Sequence, residues 1–432
     1  MRLTIHRGTH EIGGSCVELC SNSGTTRILV DVGMPLAASN GAPFEWRHHK
    51  NLSQEQLLEQ GVIPVVDGLY SHQKPSVAAV ILSHAHQDHY GFFRFIHPDI
   101  PLYMSLGTKS LVEVSNLFLS TEVNLGHAQI FTMWQPLQVG EFTITPYLMD
   151  HSAPDAAAFL IEADEQRLFY TGDFRGHGRK RVLLERLLAK PISNVDCLVM
   201  EGSMIGRDEG RYHDEVAVER AIYSVIAEQQ SYTFVFCSSQ NLDRLVSIYR
   251  AVKRARKTLV IDFYTAFVLD KLSCISSNIP QFDWREIRVL YAHSQAQKLA
   301  KYDKKLLYKY KKSKIGWEEI QANRQDMVIL SKDNSYFRAL LRKLGIDDRA
   351  KGIYSMWHGY LERTDLLQFL ASHNIELIEI HTSGHAYVED LKKLASTLNP
   401  RFIVPIHTFH PDQYDSIHEN VIKLDDGQVY HL

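Results

Sequence analysis

The segment Ser83-His84-Ala85-His86-Gln87-Asp88-His89 packs four potential metal ligands into six consecutive positions. Imidazole and carboxylate together suit zinc or a similar borderline metal, and the lack of cysteine argues against a purely structural site. The segment follows the apolar run 78–82, the pattern of a strand buried on both faces, so the ligands fall where the backbone must turn. His84 and His86 can point one way while Asp88 and His89 point another, so one loop can feed two metals. Two metals need more ligands than these four. Asp150-His151-Ser152 ends the apolar stretch 142–149, and Thr171-Gly172-Asp173 ends the stretch 168–170. Both are strand-end positions, where an open sheet presents functional groups. An aspartate there can bridge two cations, and a histidine can complete the first. Alone, each would read as an ordinary loop or turn residue; together with the first cluster they read as ligands.

The elements that must position these residues alternate in two styles. Up to Glu201 the chain reads as short strands separated by turn signals, at 3–6, 16–19, 27–31, 77–82, 129–132, 142–148, 157–161, 168–171 and 197–200, with helices near 108–119 and 181–188. Beyond Glu201, strands at 234–236, 258–261, 327–330, 352–355 and 377–380 alternate with helical patterns, which predicts a parallel, open α/β unit. No internal repeat and no Pro- or Ser-rich linker separates the two styles, as expected if the second unit is inserted into the first.

Composition narrows the class. With 45% hydrophobic and 22% charged residues, the 432-residue chain is neither disordered nor collagenous, and its length predicts two or three domains. No apolar run approaches the roughly 18 residues of a spanning helix, and the first nine residues lack a signal-peptide core. The five cysteines, at 16, 20, 197, 237 and 274, form no disulfide framework, so a cytoplasmic protein without a membrane partner is expected. Lys and Arg total 47 against 50 Asp and Glu, a net charge of −3, so any nucleic-acid partner must be met by local basic patches. Three stretches qualify: Arg175, Arg179, Lys180 and Arg181, just after Asp173; Arg250, Lys253, Arg254, Arg256 and Lys257; and Lys301, Lys305, Lys309 and Lys312, spaced as one helical face with Tyr302 and Tyr310 nearby.

The order H-x-H-x-D-H, then His151, then Asp173, with Asp31 closing the stretch 28–30, resembles the metallo-β-lactamase superfamily. Glu201-Gly202-Ser203, His381-Thr382-Ser383-Gly384-His385-Ala386 and Pro405-Ile406-His407 resemble motifs A, B and C of its β-CASP subfamily of nucleic-acid nucleases, and the turn 238–244 resembles part of the β-CASP insert. The resemblance implies an αββα metallo-β-lactamase sandwich formed by residues 1–204 and 376–432, with an inserted parallel-sheet α/β β-CASP domain at 205–375. It implies two zinc ions, with manganese as the alternative, one held by His84, His86 and His151 and the other by Asp88, His89 and His407, with Asp173 bridging. Asp88, Glu201 and His385 are the implied catalytic residues: Glu201 as a positioning group and His385 as a donor to the scissile phosphate or leaving oxygen. Ser383, His385, Arg175 and Arg179 are the candidate phosphate contacts.

The implied activity is hydrolysis of phosphodiester bonds by metal-activated water, leaving 5′-phosphate and 3′-hydroxyl ends. His407 favours RNA over DNA, because DNA-directed relatives tend to carry Val at that place. Ribonuclease J-like members carry Gly where Thr408 follows here, and a further C-terminal domain that the 25 residues after His407 do not accommodate, so oligomeric state is not carried over. A repair-type DNA nuclease and a non-catalytic scaffold subunit are the competing readings; scaffold relatives typically lose ligands, and all seven are present here.

Overall fold

A computed structural model describes residues 1–37, 42–347 and 349–432. They divide into two compact units: Met1–Val112, Thr121–Asp208 and Gly384–Leu432 form the first, and Glu113–Ser120 with Glu209–Ser383 the second.

The first unit is built on two sheets. One runs, in spatial order, Val429–His431, Arg2–Arg7, Cys16–Cys20, Arg27–Val30, Ala79–Ile81, Leu102–Met104 and Ala128–Ile130. The other runs Phe402–Ile406, Cys197–Glu201, Gln166–Tyr170, Ala157–Ala163, Phe142–Leu148 and Leu137–Val139. The period-2 geometry of a strand explains why apolar runs were needed here. In Ala157–Ala163, Phe159 and Ile161 enter the core between the sheets with Leu3, Val17, Ile28 and Ile81, while Ala158 and Leu160 face a second core. Leu184 and Leu187 of helix Val182–Ala189, with Leu391, Leu394 and Leu398 of helix Val388–Leu398, fill that second core. Strands buried on both faces carry little side-chain signal of which face is which, and Asp31, Asp150, Asp173, Glu201 and His407 fall at or just beyond their ends.

Gln166–Tyr170, Cys197–Glu201 and Phe402–Ile406 are mutually parallel, and Phe142–Leu148 runs with them, being antiparallel to Ala157–Ala163, which is antiparallel to Gln166–Tyr170. Four C-terminal strand ends therefore open on one edge. In the other sheet Arg27–Val30 and Ala79–Ile81 are likewise parallel.

The second unit is a seven-stranded sheet ordered Lys314–Ile315, Ile287–Leu290, Thr258–Asp262, Met327–Ser331, Thr233–Phe236, Lys351–Tyr354 and Glu376–Glu379, parallel throughout. The helix Phe263–Leu272 follows its strand with no turn punctuation in the sequence. Asp262 ends its strand and at once caps the helix, its side chain accepting from the Thr265 amide at 2.8 Å. The single lysine-bearing helical face expected at 301–312 is not formed. Asp303 breaks it, closing helix His293–Tyr302 in an extended conformation and capping Lys304–Lys309, which gives way to the 3-10 turn Tyr310–Ser313.

Candidate metal centre

The loop after Ala79–Ile81 is held from beneath by Asp31, a buried residue at the end of Arg27–Val30. Its Oδ1 accepts from the Ser83 amide, and its Oδ2 from Ser83 Oγ, His89 Nδ1 and Tyr170 Oη, all at 2.8 Å. Asp31 adopts the left-handed conformation, φ 62°, one of the few that aspartate tolerates. Gly33 completes the approach, since a Cβ there would fall 1.8 Å from the Asp88 carbonyl oxygen. Sequence reasoning singled out Asp31 but not Gly33, whose need is a backbone contact fifty-odd positions away.

The histidines are oriented by their other ring nitrogen. His89 donates Nδ1–H to Asp31; His151 donates Nδ1–H to the Gly384 carbonyl at 2.7 Å; His407 Nδ1 pairs with Ser203 Oγ at 2.8 Å. Each Nε2 is thereby left for the centre, the arrangement that fixes tautomer and ring plane in metal-ligating histidines. His407, directly after Phe402–Ile406, is itself left-handed at φ 56°, its amide donating to the Gly8 carbonyl at 2.7 Å.

Two donor groups share Asp173, and a third joins Glu201, His385 and His407. His84, His86, His151 and Asp173 offer ligand atoms that all lie within 4.8 Å of one another, and so do Asp88, His89, Asp173 and His407. Within the first, His86 Nδ1 is 3.1 Å from His84 Nε2 and 3.2 Å from His151 Nε2. Within the second, His407 Nε2 is 3.3 Å from Asp88 Oδ2 and 3.9 Å from Asp173 Oδ1, and His89 Nε2 is 3.3 Å from Asp173 Oδ2. Asp173 belongs to both.

The donor chemistry fits a cation. Three ring nitrogens converging on one another cannot all be satisfied by protons. Both Asp173 oxygens and His89 Nε2 are buried with no hydrogen-bond partner among the described residues, which is costly for polar atoms in a protein interior. Burial, reinforced by neighbouring imidazoles, pushes His84 and His151 well below the ordinary histidine range, the neutral form a metal requires. Burial raises Asp173, but His407 and His89 outweigh it and hold the carboxyl well below its usual value.

Glu201, the last residue of its strand, ties the ligand loops together. Its Oε1 accepts from the amides of Phe174 and Ala386, both at 3.3 Å, and its Oε2 from the Ser203 amide at 2.9 Å. Those three residues adjoin Asp173, adjoin His385 and support His407. His385 Nδ1 lies 3.4 Å from Glu201 Oε1 and 3.6 Å from Asp173 Oδ2. Burial lowers its pKa, but the Glu201 and Asp173 carboxylates prevail and lift it to about 9.

The other expected residues stand differently. Arg175 is wholly buried, Nε 3.6 Å from Asp150 Oδ1, and its amide donates to the Asp150 carbonyl at 2.7 Å. It braces the loop that carries His151 and does not reach solvent, so the expected phosphate contact is replaced by a structural one. Lys180 joins it, donating Nζ–H to the His151 carbonyl at 3.1 Å. Arg179 is half-buried. Ser383 is the last residue of the second unit. Ser203, which holds His407, was legible only as part of the Glu-Gly-Ser triplet.

Comparison with known proteins agrees with this geometry. Residues 55–230 match the Beta-lactamase superfamily domain, and residues 373–414 the Zn-dependent metallo-hydrolase RNA specificity domain. The chain is similar to Ribonuclease J of Mycoplasma genitalium, 21% identical over 376 residues covering 83% of this chain and 62% of that one. It is also similar to Ribonuclease J of Helicobacter pylori, 24% identical over 432 aligned residues covering 94% and 56%. The chain thus spans 56% to 62% of the length of these relatives. A crystal structure of a protein of unknown function from Enterococcus faecalis superposes with a TM-score of 0.78 at 21% identity, covering 100% of this chain and 99% of that one. No described helix is long and apolar enough to cross a membrane. The two-sheet core and the strand-end donor set thus sit in a chain that carries a match to the Beta-lactamase superfamily domain and a match to the Zn-dependent metallo-hydrolase RNA specificity domain, and that is similar to Ribonuclease J over most of its length.

Proposed function

We propose that the chain is a nuclease that hydrolyses phosphodiester bonds in RNA with the help of two zinc ions, manganese being the alternative metal. The observation that carries this reading is the pair of donor groups sharing Asp173. In it, His84, His86 and His151 would hold one ion and Asp88, His89 and His407 the other, with Asp173 belonging to both groups. Cations held there would supply positive charge against the phosphoryl oxygens and make water acidic enough to attack at neutral pH.

The chain's own residues do the rest. Asp31 fixes the ligand loop, and Glu201 fixes the backbone beside Asp173, His385 and His407, so the donors are set before substrate arrives. His385, whose Nδ1 lies 3.4 Å from Glu201 Oε1 and 3.6 Å from Asp173 Oδ2, donates a proton or hydrogen bond to the phosphate or to the departing 3′-oxygen. That assignment yields 5′-phosphate and 3′-hydroxyl ends. Arg179 remains a phosphate contact of this reading, and Arg175 acts through the His151 loop instead. His407 supports RNA as the substrate, and the completeness of the donor set speaks against a scaffold subunit.

Incubation with 5′-labelled single-stranded RNA and matched DNA, with and without chelator, tests it in one gel. Chelator-sensitive cleavage of RNA is expected. Cleavage of DNA alone would move the reading to a DNA nuclease, and no cleavage under saturating zinc or manganese would overturn it.

A further inference from the structure

Outside the metal centre, the strongest unexplained feature is a charged surface of the second unit. Between Lys298 and Lys314 the sequence holds eight lysines and one acidic residue, Asp303, in a chain whose net charge is −3. The lysines lie on His293–Tyr302, Lys304–Lys309, Tyr310–Ser313 and the outermost strand Lys314–Ile315, and all eight are exposed. Three are engaged: Lys298 with the Phe118 carbonyl and Lys309 with Asp270, both at 2.7 Å, and Lys314 over the Tyr291 ring. Lys301, Lys304, Lys305, Lys311 and Lys312 have no carboxylate within 4.0 Å among the described residues. Like charges crowded this way repel and cost stability, and no contact of these five within the unit offsets that cost.

Two further observations say what would. Tyr302 and Tyr308 stand among these lysines 57% and 73% exposed, Tyr302 packing edge-on with Phe267. The segment is also anchored. Leu299, Tyr310 and Ile315 are buried, and Tyr310 Oη donates to Asp270 at 2.9 Å, so the charges sit on an ordered scaffold. Unpaired ammonium groups interleaved with exposed aromatic rings are what a single strand needs, phosphates on the cations and unstacked bases on the rings. A membrane-surface helix would instead expose aliphatic side chains. Here Leu299 is buried, and Leu306 and Leu307 are half-buried.

We propose that this face binds single-stranded RNA, with Lys301, Lys304, Lys305, Lys311 and Lys312 on consecutive phosphates and Tyr302 and Tyr308 under bases. The proposal rests on the reading of the chain as RNA-directed and adds to it a binding surface carried by the inserted unit, without sequence preference.

The test measures binding of a fluorescent 30-nucleotide oligouridylate to the full chain in chelator, where no cleavage intervenes, across a salt series. The variant K301Q/K304Q/K305Q/K311Q/K312Q should bind at least about tenfold more weakly, with the slope of log K against log salt shallower by about 3. The pair Y302A/Y308A should cost about fivefold or more and leave the slope unchanged. R250Q/K253Q/R254Q/R256Q, which removes comparable charge elsewhere in the unit, should change neither by as much, and circular dichroism confirms that each variant is folded. Wild-type affinity and slope in the lysine variant would overturn the proposal, as would equal losses in both charge variants. Loss of binding to phosphatidylserine vesicles with RNA binding intact would overturn it in favour of a lipid surface. A wild-type chain that binds no RNA would sink the RNA-directed reading as well, which separates the two failures.

Discussion

Both units bury charged side chains, yet treat them in opposite ways. In the second unit, Arg244 and Glu215 are wholly buried and fully engaged. The guanidinium donates to both Glu215 oxygens at 2.9 and 3.2 Å and to the carbonyl and hydroxyl of Ser355 at 2.9 and 2.6 Å, while Ser247 Oγ donates to Glu215 at 2.8 Å. In the first, both Asp173 oxygens and His89 Nε2 are as deeply buried, but have no hydrogen-bond partner among the described residues. Burial alone therefore marks nothing. A closed network is architecture, whereas an open one at converging strand ends is chemistry.

The sharpest way to break that contrast is to remove a donor from each. Asp173→Ala or Asp88→Ala should abolish RNA cleavage and lower bound metal from about two ions per chain, read by elemental analysis, while leaving the circular dichroism spectrum intact. Near-normal cleavage in either would end the two-metal reading. Arg244→Met should do the reverse, destabilising the fold by about 3–5 kcal/mol because Glu215 is left buried and unpaired, with the metal content of the folded fraction unchanged. Urea unfolding measures it, and the double change with Glu215→Leu should recover much of the loss.

Glu201→Gln probes the boundary between the two classes, since Glu201 is closed by amides yet serves the open site. A loss of about 10- to 100-fold in activity or metal affinity is expected, with little change in thermal stability. The smallest effect lies at Glu18, a satisfied carboxylate in the same unit as the metal centre. Burial raises its pKa, but Arg27 and His6 overcome this and lower it from 4.5 to about 2. The stability it lends is thus present above about pH 4.5 and lost as pH falls toward 2. Glu18→Gln should flatten acid unfolding over that window by about 1–3 kcal/mol and leave cleavage at neutral pH untouched.

Much of this was legible because the ligand types are rare together and the strands that carry them are uninterrupted apolar runs. The cluster at 84–89, with Asp173 and His407, could be read from spacing and resemblance. Arg175 could not, because its position after a ligand looks like a phosphate contact until Asp150 is seen beside it. The helical face at 301–312 failed for a local reason, since an Asp three residues into the pattern competes for a cap. The second unit's central strands were visible, but the segment 263–322 was not, as its strand runs directly into a helix with no Gly or Pro to mark the join.

The backbone angle of His407 has a consequence for how such a centre can diverge. A branched side chain at φ 56° would collide with its own main chain. Exchanging this histidine for valine is therefore more than the loss of an imidazole; it adds backbone strain of about 1–3 kcal/mol at the turn after Phe402–Ile406.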